Sequence, residues 1–336
     1  MDFGEGVLRI DPAAETQRIA AFLREQIGKV MHRRGAVVGV SGGIDSSVCL
    51  ALSVRAFGPR RVAAIMMPEK DSEVESERLA RLLGAAFGVE PILEVITPAL
   101  EGFGCYRRRD EAIRRVFPEY DPARGYKAKI VLPDSLLQGD TLNVFRVTIV
   151  TPEGREKTER LPLAEYLQIV AASNLKQRTR MSVLYYHAEM RNFAVVGTGN
   201  KNEHEQGFFV KYGDGGADVK PIIHLNKTQV YQLAEYLGVP EEIRRRQPTT
   251  DTYSAHQSQE EFFFRLPFGT MDLLWYAQEH GVPVAQVARA MDLSEEQVQR
   301  AFDDFRRKAR TTEYLRMHPV GLEEVGARSE VASSAV

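Results

Sequence analysis

Only two of the 336 residues are cysteine, Cys49 and Cys105, and only one is tryptophan. Two thiols give neither a disulfide framework nor a metal-ligand spacing, and Cys49, set in an apolar stretch, reads as a buried structural thiol. Long hydrophobic runs are missing as well; none approaches the roughly 20 apolar residues of a membrane span. The first residues, Met1-Asp2-Phe3-Gly4-Glu5, are acidic and lack the apolar region of a signal peptide. Charge of one sign is also scarce. Lys and Arg number 44 against 46 Asp and Glu, a formal net charge of -2, so no global basic field draws the chain to nucleic acid. These absences point to a cytoplasmic protein with neither a membrane nor a nucleic-acid partner. The length suits one large or two modest domains, and 43% hydrophobic with 27% charged residues is a globular composition.

What is present is concentrated in one turn. The apolar run Val37-Val38-Gly39-Val40 ends in Ser41-Gly42-Gly43-Ile44-Asp45-Ser46-Ser47, and apolar residues at helical spacing follow. Strand, glycine turn and helix in that order place unpaired N–H groups and a positive dipole end where an anion, most often phosphate, can approach the backbone. The turn is not a Walker loop, because Asp45 stands where a lysine is needed before Ser46. An ordinary β–α turn capped by Ser46 or Ser47 is the bland alternative, and the full Ser-Gly-Gly-x-Asp-Ser-Ser string outweighs it. The turn looks like the pyrophosphate loop of enzymes that cleave ATP between the α- and β-phosphates.

Periodicity predicts an amphipathic helix over 12–34, strands at about 36–40, 62–67 and 92–96, and helices at about 45–56 and 71–87. Alternating strands and helices with near-continuous apolar strands imply an α/β fold, a doubly wound parallel sheet with helices on both faces. Ligands then bind at the carboxyl ends of the strands, where Ser41–Ser47 falls. Residues 119–162 interrupt the pattern; alternation over 142–150 and the turn Pro152-Glu153-Gly154 predict a β-hairpin-like insertion. A helix resumes over about 162–190, a strand over 193–196, and a helix over 228–237. The expected organisation is a pyrophosphate-loop domain over 1–252, a helical C-terminal extension over 253–325 and a flexible tail over 326–336.

Four further segments line up with the first. They are Asn174-Leu175-Lys176-Gln177-Arg178-Thr179-Arg180-Met181, Gly197-Thr198-Gly199-Asn200-Lys201-Asn202-Glu203, the string from Gly207-Phe208-Phe209 through Lys211-Tyr212-Gly213-Asp214-Gly215-Gly216-Ala217-Asp218, and Leu225-Asn226-Lys227 followed by Pro248-Thr249-Thr250-Asp251. Together, over about 15–118 and 165–320, they resemble the NAD synthetase family, ATP-dependent enzymes that amidate deamido-NAD. The resemblance implies a Rossmann-like fold of the adenine-nucleotide α-hydrolase type, ATP as co-substrate, Mg²⁺ as cofactor, ammonia as nitrogen donor and a homodimer. It implies ATP contacts from Gly39, Ser41, Gly42, Gly43, Asp45, Ser46, Ser47, Thr198, Lys227 and Thr249. Asp45 and Glu203 are the implied magnesium ligands and, with Lys227, the catalytic set. Asn174, Arg178, Lys211 and Asp218 are implied to bind deamido-NAD, with Arg180 in the same helical motif.

Each residue also has a plainer reading. Arg178 and Arg180 taken alone would be a solvated helix face, Glu203 a surface acid and Asp218 a turn cap. His187, His204, His224 and His256 lack metal spacing, and Phe262-Phe263-Phe264 reads as core or dimer interface. Only the ordered set of motifs lifts the site residues above these readings.

The chain departs from the family pattern in three places: the length of the insertion, the segment Tyr253–Glu260, and Thr312-Glu313-Tyr314-Leu315-Arg316, where the family often has a His-Lys pair at the positions of Tyr314-Leu315. About 35 residues precede strand one, too few for a fused glutaminase, so direct use of ammonia is expected, with a separate glutaminase as the alternative. A related ligase acting on another adenylated carboxylate is the alternative for the substrate. Thiolating or lysidine-forming relatives of the loop class need cysteines or a basic surface that this chain lacks. Residues 282–305 have a helix-turn-helix look, but Glu295, Glu296, Asp303 and Asp304 make the second helix acidic, which favours a packing hairpin over a DNA reader.

Overall fold

The computed structural model describes residues 3–131, 137, 145–248, 254–255 and 263–322. Its strands are β1 (Ala36–Gly39), β2 (Val62–Met66), β3 (Ile92–Leu93), β4 (Lys127–Val131), β5 (Arg146–Val150), β6 (Glu156–Arg160) and β7 (Ala194–Val196). Its first helices are α1 (Pro12–Leu23), α2 (Ile44–Phe57), α3 (Val74–Phe87), α4 (Thr97–Gly102), α5 (Cys105–Val116) and α6 (Leu163–Arg191). The later ones are α7 (Lys201–Gln206), α8 (Lys227–Tyr236), α9 (Glu241–Arg245), α10 (Phe268–Glu279), α11 (Val284–Met291), α12 (Glu295–Thr311) and α13 (Glu313–Arg316).

The central sheet is parallel, in the order β3-β2-β1-β7. Val38 aligns with Ala64 on one side and Val196 on the other, and all three are buried. Because side chains alternate across a strand, Ala36, Val38, Ala64 and Val196 pack with Ile19, Leu23, Leu50 and Val230 of α1, α2 and α8. Val37, Ala63, Ile65 and Val195 face the other way, onto Met181, Leu184 and Ala188 of α6. Both faces are thus covered, as the unbroken apolar strands imply. The chain runs β1 to β2 to β3 on one side of β1, then returns as β7 on the other. The order reverses between β1 and β7, which opens a crevice at their carboxyl ends.

The departures from expectation have local causes. The first helix changes to π-helical hydrogen bonding over Arg24–Val30 and stops before 34, where His32 takes a left-handed backbone with φ 54. The helix expected from Asp71 begins at Val74, since Asp71 is drawn inward by Lys176 and Arg109. The insertion is more than a hairpin: β4 joins β5 and β6 in an antiparallel sheet. Ala128, Ile130, Val147 and Ile149 bury one face of it against Ile113, Phe117 and Ile169. The edge strand β6 carries Glu156, Lys157, Glu159 and Arg160 and is exposed throughout, an edge too charged to recruit another strand. Residues 284–311 form a hairpin of α11 and α12 whose apolar face, with Val298, Phe302 and Phe305, packs on Trp275 of α10. That burial favours the packing reading of this segment. Phe264 lies in the same core, while Phe262, His256 and the tail over 326–336 lie outside the described residues. No described helix is long and apolar enough to cross a membrane.

A buried ionic cluster ties the loop after β2 to the second layer. Lys176, with 1% of its side chain exposed, donates to Glu69 at 2.8 Å and to Asp71 at 2.8 Å. Arg109 also pairs with Asp71, and Tyr106 donates to Glu69 at 2.7 Å. Burial alone would push the Asp71 carboxyl up, but Lys176 and Arg109 pull it below its ordinary value of 3.8. Removing one partner of such a cluster leaves buried charge unpaired. Lys176→Met is expected to lower unfolding stability by about 3–5 kcal/mol in urea titrations. The Asp71 contribution is complete above its unfolded value of 3.8 and is lost as pH falls through the depressed folded value. The wild type should therefore lose stability steeply in that acid range, and Asp71→Asn should flatten the loss.

Candidate active site

The turn after β1 is held in shape by its own serines. Ser46 Oγ donates to Gly43 O at 3.0 Å, Ser47 Oγ to the same oxygen at 2.8 Å, and Gly43 N donates to Ser41 Oγ at 3.3 Å. Gly42 has φ 72, and a Cβ there would meet Ser76 O at 2.9 Å, so both conformation and space require glycine. The turn delivers the N-terminus of α2 to the crevice.

Opposite it, β7 ends in Gly197-Thr198-Gly199 and α7 begins. Asn200 and Glu203 form a reciprocal cap: Glu203 N donates to Asn200 Oδ1 at 3.1 Å and Asn200 N to Glu203 Oε2 at 3.2 Å. The Asn200 amide nitrogen also donates to Asp45 Oδ1 at 3.1 Å, which joins the two sides of the crevice. Lys227, with no side-chain exposure, forms an ion pair with Asp45. Burial works against the Lys227 ammonium, but Asp45 and Glu203 outweigh it and hold the group above its ordinary value. Burial, with Asp45 nearby, pushes the Glu203 carboxyl up to about 8. Two acidic side chains, Asp45 and Glu203, thus lie near one buried lysine beside the turn. That excess of carboxylate oxygen suits a hard divalent cation such as Mg²⁺. Among the described residues no three His, Cys, Asp or Glu side chains cluster for a metal, so water and ligand oxygens would complete such a shell.

Three cavities meet here. One of about 160 Å³ is lined by Ser41, Gly43, Asp45, Ser46, Thr198 and Glu203, with Arg246 at its rim. One of about 240 Å³ runs from Gly39 and Ser41 between the ends of β1, β2 and β7 to Arg180. The third, about 730 Å³, is lined by Asn174, Arg178, Lys211 and Glu203, and by Tyr314 and Leu315. Glu203 is common to the first and third, so the turn and the larger cavity share a wall.

Not every expected residue reaches these cavities. Gly42 and Ser47 shape the turn from behind it, and Lys227 acts through Asp45. Asp218 lines none of the three; its carboxylate accepts from Val195 N at 2.7 Å and from Tyr185 OH at 3.1 Å. Lys211 lines the large cavity, yet its ammonium is held by the carbonyls of Tyr314 at 2.8 Å and Met317 at 2.9 Å. Arg178 donates to Lys211 O at 3.3 Å. Thr249 and most of Tyr253–Glu260 lie outside the described residues.

Sequence reading missed four ionisable residues that line the first cavity: His204, Asp214, Lys220 and Arg246. Burial, with Lys220 and Arg316 nearby, lowers His204 to about 4, so it is a neutral ring, stacked on Phe209 at 5.8 Å. Arg246 is bonded to Glu73 at 2.6 Å and to Ser76 Oγ at 3.0 Å, and lies close over Gly42. Its only signal in the sequence is its place just ahead of Pro248-Thr249.

Known proteins resemble this chain over most of its length. A model of the NAD synthase family, described as NAD synthase, matches residues 15–115 and 148–319. The NH(3)-dependent NAD(+) synthetase of Rhizobium meliloti is 51% identical over 317 residues, 94% of each chain. That of Thermotoga maritima is 39% identical over 235 residues, 70% of this chain and 77% of the relative. Among solved structures, an NH3-dependent NAD synthetase from Campylobacter jejuni in complex with the nitrate ion superposes with a TM-score of 0.60. It is 22% identical, over 94% of this chain and 100% of that one. An NMN synthetase from Francisella tularensis gives 0.58 at 22% identity, over 93% and 99%. At that identity the structural likeness is one of fold.

Arg246 gives this site a direct test. Its guanidinium should add a charge-assisted contact to an anion on the turn, so Arg246→Gln should weaken magnesium pyrophosphate binding by roughly ten-fold or more in calorimetry. The melting curve should stay close to that of the wild type.

Proposed function

The chain belongs to the NAD synthase family, and from that premise we propose that it amidates deamido-NAD to NAD with ammonia, consuming ATP and releasing AMP and pyrophosphate. The observation that carries this reading is the meeting of Asp45, Lys227 and Glu203 at the turn after β1, where the strand order reverses.

The chemistry follows from charge. The nicotinate carboxylate must attack the α-phosphorus of ATP, bringing two anions together. The N–H groups at the start of α2 and the Arg246 guanidinium bind the outer phosphates and stabilise the charge that builds on pyrophosphate as it leaves. The Gly39–Arg180 cavity, between the strand ends, holds the nucleoside. Asp45 and Glu203 would hold Mg²⁺, whose charge, when it is bound, offsets the repulsion between carboxylate and phosphates. Lys227 fixes Asp45 and compensates its charge in the low-dielectric floor. The O–P bond between the α-phosphorus and pyrophosphate breaks as the carboxylate–phosphorus bond forms, giving an acyl-adenylate. Ammonia then attacks the acyl carbon, loses a proton, and AMP departs with the carbon–oxygen electron pair. No side chain has to form a covalent bond, so positioning and electrostatics carry the rate. Asn174, Arg178 and Lys211 orient the dinucleotide in the large cavity beside Glu203. We read the chain as a homodimer, since α6 exposes Leu163, Leu167, Tyr186 and Met190, with Phe103 close in sequence to its partner α5. Light scattering should then return twice the chain mass.

The test is an assay of the purified chain with ATP, Mg²⁺ and deamido-NAD, with either ammonium or glutamine, read by mass. NAD and AMP in equal amounts from ammonium are expected, and Asp45→Asn and Glu203→Gln should each lower kcat by roughly 100-fold or more. NAD from glutamine only in the presence of a second protein would assign the nitrogen to a separate glutaminase. ATP–pyrophosphate exchange on some other carboxylate, without NAD, would overturn the choice of substrate.

A further inference from the structure

Residues 116–147 fall between the two stretches that the family model matches, and they include β4 and Phe145 at the threshold of β5. Phe145 is anchored there, because Leu161 N donates to its carbonyl at 2.9 Å. Its ring stacks on Tyr166 of α6, with centroids 4.1 Å apart and planes 20° from parallel. Both rings line the large cavity. Tyr166, Val170, Asn174 and Arg178 recur every four residues along α6, and all four line that cavity. Such spacing makes one stripe on a helix, here about 18 Å from Tyr166 to Arg178 at 1.5 Å per residue. The stripe is cationic at the Arg178 end and aromatic at the other. Tyr314, one of the two departures from the family pattern in that segment, lines the same cavity.

We propose that the insertion is a substrate-binding element: the Phe145–Tyr166 stack supports the second nucleobase of a dinucleotide whose carboxyl-bearing end lies by Arg178 and Glu203. The inference rests on the deamido-NAD reading and extends it. A stripe of this length exceeds what a mononucleotide can span, and its aromatic end offers a flat apolar face where the adenine of a dinucleotide would arrive. Base–aromatic stacking needs no hydrogen-bond code and tolerates a shallow wall, which suits a rim built from two rings. The insertion's own core, Ile130, Val147 and Ile149 on Ile169, fixes the stack against α6.

The experiment is steady-state kinetics of the full chain with Phe145→Ala and Phe145→Tyr. Phe145→Ala should raise KM for deamido-NAD about ten-fold, the loss of one base–aromatic stack, with kcat and the KM for ATP unchanged. Phe145→Tyr, which keeps a ring, should restore the wild-type KM. An unchanged KM for deamido-NAD in Phe145→Ala would overturn the inference and leave the proposed function standing. So would a joint loss of kcat and ATP affinity, which marks a structural role. A wild-type chain that forms no NAD from deamido-NAD would instead overturn the proposed function and this inference with it.

Discussion

Lys227 is a full-length lysine with no exposed side chain, paired with Asp45 from the opposite side of the sheet reversal. A buried ion pair is a poor device for stability alone, since desolvation of both ions opposes their attraction. Its value here is positional. Asp45 belongs to the helix that follows β1, Lys227 to the start of α8, and Asn200 to the cap of the helix after β7. The three side chains meet over the crevice. The backbone of Lys227 is itself fixed: its N–H donates to Asn202 Oδ1 at 3.0 Å, and Asn202 donates to Asp272 of α10 at 2.5 Å. The C-terminal helices therefore reach the floor of the crevice through one fully buried aspartate. That explains why a site at the end of a short sheet needs a helical region packed behind it.

A second cluster does the same for the cavity of about 240 Å³ between the strand ends. Met67, Pro68 and Ser72 of the loop after β2 line that cavity, and loops are the parts of a fold most free to move. Glu69 and Asp71 of the same loop are held by Lys176 and Arg109 from α6 and α5. Glu69 has none of its side chain exposed, so the loop behaves as part of the second layer. Rigid support beneath loop-borne contacts lets positioning substitute for covalent catalysis.

The parallel sheet and the glycine turn after β1 were legible in the sequence because their signals are local. Val37-Val38-Gly39-Val40 is a short unbroken apolar run, the pattern of a strand buried on both faces, and Gly42 occupies a backbone conformation that admits little else. The motif residues Asp45, Glu203, Asn174, Arg178 and Lys211 come to the cavities as a set. Asp218 lines none of the three cavities and is bonded to Val195 N and Tyr185, partners that no spacing announces. Arg246, His204 and Lys220 were invisible for a related reason. An arginine in the run Arg244-Arg245-Arg246 reads as a solvated face until the fold lays one of the three over a glycine. Strand β4 of the insertion was missed because residues 132–145 separate Lys127–Val131 from its partner β5, so no tight turn announces the pairing.

The large cavity divides into parts with different histories in the chain. Its cationic end comes from motif residues, Arg178 and Lys211, and its far wall from Phe145, Tyr314 and Leu315, which belong to the insertion or to positions where the family pattern is broken. Arg316, which keeps the pattern, donates to the carbonyls of His204 and Glu205 and pins α13 to the helix that bears Glu203. Fixing α13 at Arg316 sets Tyr314 and Leu315 over the cavity, whatever those two residues are. The scaffold therefore separates two tasks. Arg316 and the Lys227–Asp272 chain hold the crevice end of the cavity in place, while the rim can change residue type without disturbing it. On the proposed reading, Tyr314 and the segment 116–147 then serve one purpose, to set what meets the far end of the substrate.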